Sequence, residues 1–382
     1  MRSFRGRRSS KVILAMADYL QVRAAVAESR SGPLRVQTIG LDRPRNDEVL
    51  IKMVAAGLCH SDLARFDGSR TDWPDYPMVL GHEGSGIVLE CGSDVRSVKP
   101  GDHVIPVAIP ECGVCPACHS GLTNICDEFN NSDVRRPFRR GAQDVRAFCE
   151  VGAFADHIVT REIQVTKIRP DAPLDLVCCL GCAGMTGLGA VLFTAKVRPG
   201  ASVVVFGVGG IGVNVINGAR IAGASQIVAV DTNPAKQAVA EKAGAHHFFD
   251  SAAVDRDIVG LVRELTAGGA DYAFECVGDP ALLRQAVEST RRGWGTTVMI
   301  GVPSSDQDIT LRPHAVLEGR QVMGSYLGNV KTRSQLPQLV DLCMDGKVDL
   351  NGLISHRFGL DDIASSFKLM KSNLMLRGII CF

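Results

Sequence analysis

The pattern of hydrophobic and polar residues divides the chain into two kinds of sequence. From Val22 onward, short runs of alternating apolar and polar residues are separated by Gly and Pro, which predicts antiparallel β-strands. From about residue 184, apolar segments alternate with helical stretches, as in a doubly wound parallel sheet. This alternation ends near Tyr326, where a helical stretch and a few closing elements follow. We therefore predict an α/β chain with a β-rich domain at residues 22–183 and 327–382 and a parallel-sheet domain at residues 184–326.

Composition excludes two classes of partner. A formal net charge of +1 gives no long-range field for polyanions, and only 5% of the residues are aromatic. No uninterrupted apolar run reaches the roughly 18 residues that span a bilayer. We expect no nucleic-acid partner, no membrane partner and a cytoplasmic location. The 13 cysteines lie among abundant Leu, Val and Ala, so that reduced thiols are expected rather than a disulfide framework.

The first 21 residues depart from this even balance of charge. Basic side chains precede a brief apolar run that is cut short by Asp18, and no small-residue cleavage site of an export signal follows. We expect a disordered basic tail at residues 1–21, or a reading frame whose true start is Met16.

Four cysteines within fifteen residues form the sharpest motif of the β-rich region. Cys112, Cys115, Cys118 and Cys126 are separated by three, three and eight positions, and this spacing suits one loop wrapped around a tetrahedral Zn²⁺. An iron–sulfur cluster is the alternative, although bacterial ferredoxin runs continue with a shorter final spacing and a proline. The motif predicts a structural zinc lobe at residues 112–126.

A glycine-rich turn marks the parallel-sheet region as a dinucleotide site. It follows the apolar strand 202–206 and opens a helix, and Asp231 ends the next strand 19 residues after the last glycine. Such glycines admit a pyrophosphate to a helix N-terminus, while a carboxylate binds the ribose hydroxyls of NAD and repels the 2′-phosphate of NADP. The alternative is a strand–turn–helix without a ligand. Our cofactor-binding candidates here are Gly207, Gly209, Gly210, Ile211, Gly212, Asp231 and Lys236.

A second metal site is suggested by residues far apart in sequence. Cys59, His82 and Cys182 supply the two thiolates and one imidazole of a catalytic zinc that keeps a position open for substrate. Glu83 is a further ligand that exchanges with water, and Asp62 fixes the tautomer of the imidazole. Each residue alone is more simply read as part of a core.

Together these motifs resemble the zinc-dependent alcohol dehydrogenases of the medium-chain dehydrogenase/reductase superfamily. The resemblance runs from about Val22 to Phe382. It rests on Cys59-His60-Ser61-Asp62, on Gly81-His82-Glu83-x-x-Gly86 with Gly92 and Val95, on the four-cysteine lobe, on Gly181-Cys182-x4-Gly187, on the glycine turn and on Leu376-Arg377-Gly378. It implies a GroES-like catalytic domain and a Rossmann domain that binds NAD, with two zinc ions per chain.

The resemblance also implies roles for single residues. Ser61 becomes the first proton acceptor, with Glu83 and Asp62 beside it in the catalytic set. His60 and Arg377 contact the phosphates of the cofactor, and Thr186 lies near its nicotinamide. Many family members carry a histidine five residues after the first cysteine ligand, and here that position is Ala64. We therefore expect the proton to leave through water from the cofactor ribose.

The implied activity is the oxidation of a primary alcohol to an aldehyde, or the reverse, by hydride transfer to NAD from an alcohol whose pKa the zinc lowers. Ala108 replaces a bulkier aromatic of some relatives, which favours a large or aromatic alcohol. The alternative is a thiol adduct of formaldehyde, because the segment 152–157 is similar to relatives with that activity. Five arginines at residues 135–146 are read either as a solvated loop or as a grip on an anionic substrate tail.

Two further possibilities come from other classes of protein. A non-catalytic NAD-binding protein would be expected to lose the metal ligands first, and a zinc-free quinone reductase would lack both the lobe and the Gly-His-Glu motif. The resemblance implies a homodimer joined through residues 308–325, with a tetramer as the alternative.

Overall fold

The computed structural model describes residues 19–69, 76–131, 135–253, 257–304, 306–372 and 375–382. Residues 1–18 of the expected basic tail, and with them Met16, lie outside this part of the chain. The first strand begins at Tyr19, so that residues 19–21, which we assigned to the tail, belong to the β-rich domain. The reason is visible in the burial pattern, since the alternation of exposed and buried side chains already starts there.

The β-rich domain holds two sheets, with strands and helices numbered in chain order. The first sheet closes into a barrel in the order β1-β2-β7-β8-β4. Its strands are β1 (Tyr19–Ala27), β2 (Leu34–Asp42), β4 (Met78–Val79), β7 (Phe138–Arg140) and β8 (Gln143–Ala147). The second sheet has the order β10-β6-β5-β3-β18-β17, and β9 also pairs with β3. Its strands are β3 (Glu48–Gly57), β5 (Gly84–Cys91), β6 (His103–Pro106), β9 (His157–Arg161), β10 (Val165–Lys167), β17 (His356–Gly359) and β18 (Gly378–Cys381).

The long strand β3 brings distant parts of the chain together. It pairs with β5, β9 and the closing strand β18, with Ile379 opposite Gly57. The end of the chain therefore lies beside Cys59 and the segment that carries His82. The core of this domain is filled by apolar side chains such as Ile51, Met53 and Phe154.

The third sheet is parallel throughout, in the order β13-β12-β11-β14-β15-β16. Its strands are β11 (Ser202–Phe206), β12 (Gln226–Asp231), β13 (His247–Asp250), β14 (Tyr272–Glu275), β15 (Thr296–Met299) and β16 (Gln321–Gly324). The strand order reverses between β11 and β14, and ligands of such sheets bind outside the carboxyl ends of the strands at this point. All five residues of β11 are buried, as a central parallel strand requires.

Thirteen α-helices connect the strands in the described part of the chain. They are α1 (His60–Asp67), α2 (Pro116–Ser120), α3 (Glu128–Asn131), α4 (Leu174–Val177), α5 (Ala183–Gly189), α6 (Gly210–Ile221), α7 (Gln237–Ala243), α8 (Ile258–Leu265), α9 (Pro280–Ser289), α10 (Pro313–Leu317), α11 (Thr332–Met344), α12 (Leu350–Leu353) and α13 (Ile363–Lys371). Helix α5 is buried along its whole length and packs on α6. A Cβ atom on Gly187 would lie 2.6 Å from the Cβ of Asn214, so that this close packing requires glycine.

None of the helices in the described ranges is by itself long and apolar enough to cross a membrane. One bent pair, Leu174–Gly181 with Ala183–Ala195 at 60°, meets the length and composition criteria together.

Candidate active site

Four side chains from three parts of the β-rich domain form a metal-ligand cluster. Cys59 directly precedes α1, His82 and Glu83 precede β5, and Cys182 precedes α5. Their ligand atoms all lie within 4.8 Å of one another. The Sγ atoms of Cys59 and Cys182 are 4.0 Å apart, and His82 Nε2 lies 3.4 Å from the Sγ of Cys182. The fold therefore brings together residues that lie as far as 123 positions apart in the sequence.

The imidazole of His82 is held from behind by Asp62. Asp62 Oδ1 lies 3.1 Å from His82 Nδ1 and accepts the Gly81 N–H at 2.8 Å. The Asp62 side chain is fully buried, and the ring of Phe148 contacts the imidazole edge to face at 5.5 Å between centroids. With a proton on Nδ1, His82 points Nε2 at the cysteine sulfurs as a ligand. This is the role that the sequence predicts for Asp62.

The electrostatics of the cluster place one thiolate beside groups that are held neutral. The hydrogen bond with Cys59, together with burial, raises the pKa of the Cys182 thiol well above its usual range. Hydrogen bonding with Cys182, aided by His82 and Arg377, holds the pKa of the Cys59 thiol well below its usual range. Burial raises the pKa of Glu83 to about 8, and the guanidinium of Arg377 opposes this shift. A divalent cation would stabilise the thiolates and the carboxylate together.

Glu83 lies between the cluster and Arg377. Its Oε1 accepts a hydrogen bond from Nη2 of Arg377, and its Oε2 is buried without a hydrogen-bond partner among the described residues. A Cβ on Gly57 would come within 2.6 Å of the Glu83 carboxyl carbon, so that glycine there leaves room for this side chain. Two thiolates and an imidazole fit a catalytic zinc whose fourth position is kept for substrate, and the free oxygen of Glu83 is close enough to be an alternate ligand.

The four cysteines of the lobe converge in a second cluster. The Sγ atoms of Cys112 and Cys118 are 3.9 Å apart, as are those of Cys115 and Cys126. Backbone N–H groups point at the sulfurs, for example from Cys115 to Cys112 and from Cys118 to Cys115, each at 3.3 Å. Hydrogen bonds from the backbone of Asp127 and Cys118 lower the pKa of the Cys115 thiol to about 7. This closed set of four sulfurs fits a structural zinc.

The glycine turn has the shape that a pyrophosphate requires. Gly207 has φ 91°, and a Cβ on Gly212 would lie 1.8 Å from the Gly207 carbonyl oxygen. Helix α6 begins at Gly210, so that its free N–H groups face the crevice at the switch point of the sheet. Gly209 is the N-cap of this helix, and the side chain of Ile211, in its first turn, is half-buried.

The end of β12 is organised around Asp231. Its Oδ2 accepts the Val208 N–H at 2.7 Å and lies 3.1 Å from Lys236 Nζ, while its Oδ1 accepts the Asn233 N–H at 3.0 Å. The ammonium group of Lys236 therefore lies at the same end of β12 as the carboxylate of Asp231. This carboxylate next to the turn fits the adenosine ribose of NAD.

The remaining predicted residues lie around these three sites. Thr186 is buried in α5, and its Oγ1 lacks a partner in the described structure, as expected of a side chain that faces a cofactor. His60 is exposed and Ser61 is half-buried on the first turn of α1. Arg377 pairs with Glu83, and its guanidinium also lies 3.8 Å from a Cβ position on Gly210, so that it spans the metal cluster and the glycine turn.

Sequence reasoning missed Glu275 at the end of β14. This fully buried carboxylate accepts the N–H groups of Val277 and Gly278, each at 2.8 Å, and so shapes the turn beside the crevice. Val277 lies over the glycine turn, since a Cβ on Gly207 would be 2.5 Å from it. The sequence feature that marks this turn is an acidic residue at the end of a strand, followed three residues later by Gly278.

Most of the arginine-rich stretch is not a solvated loop. Arg139 and Arg140 lie in β7, where Arg139 pairs with Asp42 at 2.5 Å and Arg140 with Glu28 at 2.6 Å. Arg135 pairs with Glu48, and Arg146 is buried in β8. These contacts hold the four arginines against the barrel, so that a solvated loop is the wrong interpretation for them. The grip on an anionic substrate tail is not tested by these contacts and stays a prediction.

Comparisons with known proteins agree with this geometry. A model of the alcohol dehydrogenase GroES-like domain matches residues 45–170, and a model of the zinc-binding dehydrogenases matches residues 210–345. The alcohol dehydrogenase class-3 of Cereibacter sphaeroides is 39% identical over 377 residues, which cover 95% of this chain and 100% of that protein. An S-(hydroxymethyl)glutathione dehydrogenase of Escherichia coli is 42% identical over 370 residues, which cover 94% of this chain and 100% of that protein.

A solved structure shows the same fold. The benzyl alcohol dehydrogenase of Acinetobacter calcoaceticus superimposes with a TM-score of 0.87 at 31% identity, covering 95% of this chain and 99% of that one. The chain belongs to the zinc-dependent alcohol dehydrogenases of the medium-chain dehydrogenase/reductase superfamily, and its cofactors are zinc and NAD.

Proposed function

We propose that this enzyme uses NAD to oxidise the hydroxymethyl group of a thiol adduct of formaldehyde. The observation that carries the proposal is the 39–42% identity, over nearly the whole chain, to relatives named alcohol dehydrogenase class-3 and S-(hydroxymethyl)glutathione dehydrogenase. These names favour the thiol adduct over the bulky primary alcohol that we expected first from the sequence.

The reaction balances with the cofactors of the family. The adduct R–S–CH₂–OH loses a hydride from carbon and a proton from oxygen, and it becomes the thioester R–S–CHO while NAD⁺ becomes NADH. When bound, zinc supplies a Lewis acid for the substrate oxygen and NAD supplies the hydride acceptor.

The residues of the chain divide this work among them. Cys59, His82 and Cys182 would hold the metal, with His82 oriented by Asp62, and Glu83 would be a further ligand that alternates with water. Cys112, Cys115, Cys118 and Cys126 hold the structural zinc.

The proton is handled by α1. Ser61 accepts the hydroxyl proton from the substrate, since it lies on the first turn of the helix that follows Cys59. Ala64 provides no base, so that the ribose hydroxyl of a bound cofactor would have to pass the proton to water.

The cofactor is held by groups on both sides of the crevice. His60 and Arg377 contact its phosphates, Thr186 its nicotinamide and Asp231 with Lys236 its adenosine ribose. The backbone of Gly207, Gly209, Gly210, Ile211 and Gly212 takes the pyrophosphate.

A primary aromatic alcohol is the second candidate substrate. It is favoured by the small, buried Ala108 on the segment that follows β6, and by the likeness to a benzyl alcohol dehydrogenase. Arg139 and Arg140, which we associated with an anionic substrate tail, pair with carboxylates of the barrel, and their contact with such a tail stays a prediction.

The experiment that tests the substrate measures NADH formation by the zinc-loaded enzyme. Formaldehyde with glutathione, formaldehyde alone, glutathione alone and benzyl alcohol are compared. We expect turnover when formaldehyde and thiol are present together and little with either alone. A higher kcat/KM for benzyl alcohol would select the second candidate, and NAD binding without turnover of any compound would indicate a non-catalytic protein.

We also propose a homodimer in the cytoplasm, formed through the free edge of the parallel sheet. Within the described ranges β16 pairs with β15 alone, and Val322 in it is 40% exposed. Ile309, Val316 and Leu317, which precede this strand in the sequence, are exposed too. Light scattering of the purified protein distinguishes a dimer from a tetramer or a monomer.

A further inference from the structure

The segment that returns from the parallel sheet to the β-rich domain has an unusual backbone. After β16 ends, Leu327 (φ 46°, ψ 43°), Gly328 (φ 72°) and Asn329 (φ 55°) follow one another in the left-handed region. A branched side chain such as that of Leu327 disfavours this region, and a run of such residues persists only where the surroundings hold it. We call residues 325–331 the crossing segment.

One side of the crossing segment is fastened to the four-cysteine lobe. The backbone N–H of Asn124 donates to Asn329 Oδ1 at 3.0 Å, and Asn124 Nδ2 donates to the Tyr326 carbonyl at 2.8 Å. Asn124 is only 7% exposed and lies between the third and fourth cysteines of the lobe. Lys331 Nζ adds a bond to the carbonyl of Cys118 at 2.5 Å.

The other side of the crossing segment packs against α5. A Cβ on Gly328 would lie 2.2 Å from the Met185 carbonyl oxygen and 3.0 Å from that of Thr186. Thr194 Oγ1 donates to the Gly328 carbonyl at 3.3 Å. The crossing segment is therefore held between the lobe and the helix that carries Thr186, at the carboxyl edge of the sheet where the cofactor binds.

We propose that Asn124 and Asn329 are positioning residues that fasten the four-cysteine lobe to the crossing segment and thereby keep the cofactor side of the cleft in its binding conformation. Without the hydrogen bonds of Asn124 to Asn329 and Tyr326, the left-handed residues relax into other conformations. Only a fraction of the molecules then keeps a crevice that can bind the cofactor. The apparent Kd for NAD(H) equals the intrinsic Kd divided by that fraction, so that the apparent affinity decreases in proportion to it. This role is independent of which alcohol the enzyme oxidises.

The test compares four variants of the full-length, zinc-loaded protein. Asn329→Gly keeps the left-handed backbone and removes the acceptor for Asn124. Asn329→Asp keeps the backbone preference and the acceptor, and it loses only the long bond from Nδ2 to the Leu122 carbonyl at 3.5 Å. Asn124→Ala removes the donor to Tyr326. His119→Ala is the control, because its ring bonds to the Gly113 carbonyl inside the lobe. NADH affinity is measured by fluorescence titration, amide exchange of residues 122–126 and 325–331 by mass spectrometry, and zinc content in parallel.

Asn329→Gly and Asn124→Ala are expected to raise the Kd for NADH about three- to tenfold, the effect of losing one buried hydrogen bond. Exchange in both segments becomes faster while the zinc content stays unchanged. Asn329→Asp and His119→Ala remain near the wild type. An unchanged Kd for NADH together with unchanged amide exchange in Asn329→Gly would overturn the proposal. If Asn124→Ala does not fold, the result for Asn329→Gly alone decides between the two outcomes.

Discussion

Arg377 donates a hydrogen bond from its Nη2 to Glu83 Oε1, joining two buried side chains that are 294 residues apart in the sequence. Arg377 stands just before β18, which pairs with β3 next to Cys59. Its guanidinium also lies beside the glycine turn. A single cation therefore connects the candidate catalytic metal cluster with the pyrophosphate site.

Replacement of Arg377 by Met should destabilise the protein and weaken cofactor binding. The change leaves the buried Glu83 carboxyl without its hydrogen-bond donor and raises its pKa further, which costs about 1–3 kcal/mol in unfolding free energy. Urea unfolding measures the loss, and NADH titration the affinity. Arg357→Met is the matched control, because Arg357 is 44% exposed and its pair with Asp175 should contribute under about 1 kcal/mol. Equal losses for the two variants would contradict a special role for the buried pair.

Replacement of Asp231 by Ser should shift the cofactor preference toward NADP. The carboxylate that would bind the ribose hydroxyls is lost, and with it the repulsion of a 2′-phosphate. We expect kcat/KM with NAD to fall about 10- to 100-fold, as for loss of hydrogen bonds to a charged group, while the NADP-to-NAD ratio rises. Asp250→Ser, at the matching end of the neighbouring strand β13, is the control. An unchanged ratio would contradict our assignment of the ribose site.

The two cysteine clusters should respond differently to mutation. Cys112→Ser is expected to remove the lobe metal and lower the midpoint of thermal unfolding, because structural zinc stabilises the fold. Cys182→Ser is expected to remove the other metal and abolish turnover while NADH still binds. Zinc per chain, measured by mass spectrometry, should fall by one in each. Cys91→Ser, a half-buried thiol outside both clusters, should keep the wild-type content.

The features that the sequence predicts best are those whose residues are close together along the chain. The cysteine lobe and the glycine turn each occupy one short segment, so that spacing alone reports their geometry. The cluster of Cys59, His82 and Cys182 was reached only through several motifs and a family resemblance. The bond between Arg377 and Glu83 depends on strand pairing, and nothing local in the sequence indicates it.

The same limit applies to the solvated-loop interpretation of the arginine-rich stretch. Arg139 pairs with Asp144 nearby but also with Asp42 on β2, and Arg140 pairs with Glu28, which directly follows β1. Asp42 and Glu28 lie about a hundred residues earlier, and the closed barrel makes them neighbours of β7. A charge run looks solvated when its counterions are distant in sequence.

Introduction of a histidine at Ala64 should assist the release of the proton. Ala64 is half-buried on α1, one turn after Ser61. A histidine with a pKa of about 6.5 accepts protons where hydroxide is scarce, so that kcat should rise mainly between about pH 6.5 and 8. The kcat-pH profile measures this. An unchanged profile would mean that proton exit does not limit turnover.

Replacement of Glu275 by Ala should loosen the turn that borders the cofactor crevice. The N–H groups of Val277 and Gly278 lose their buried acceptor, and each unsatisfied donor costs about 1–3 kcal/mol. Val277 then moves from its place over Gly207, so that the Kd for NADH should rise together with the loss of stability. Glu275→Gln keeps one carbonyl acceptor and should fall between Ala and the wild type. If Glu275→Ala unfolds more easily but binds NADH as tightly as the wild type, Glu275 supports the fold and does not shape the crevice.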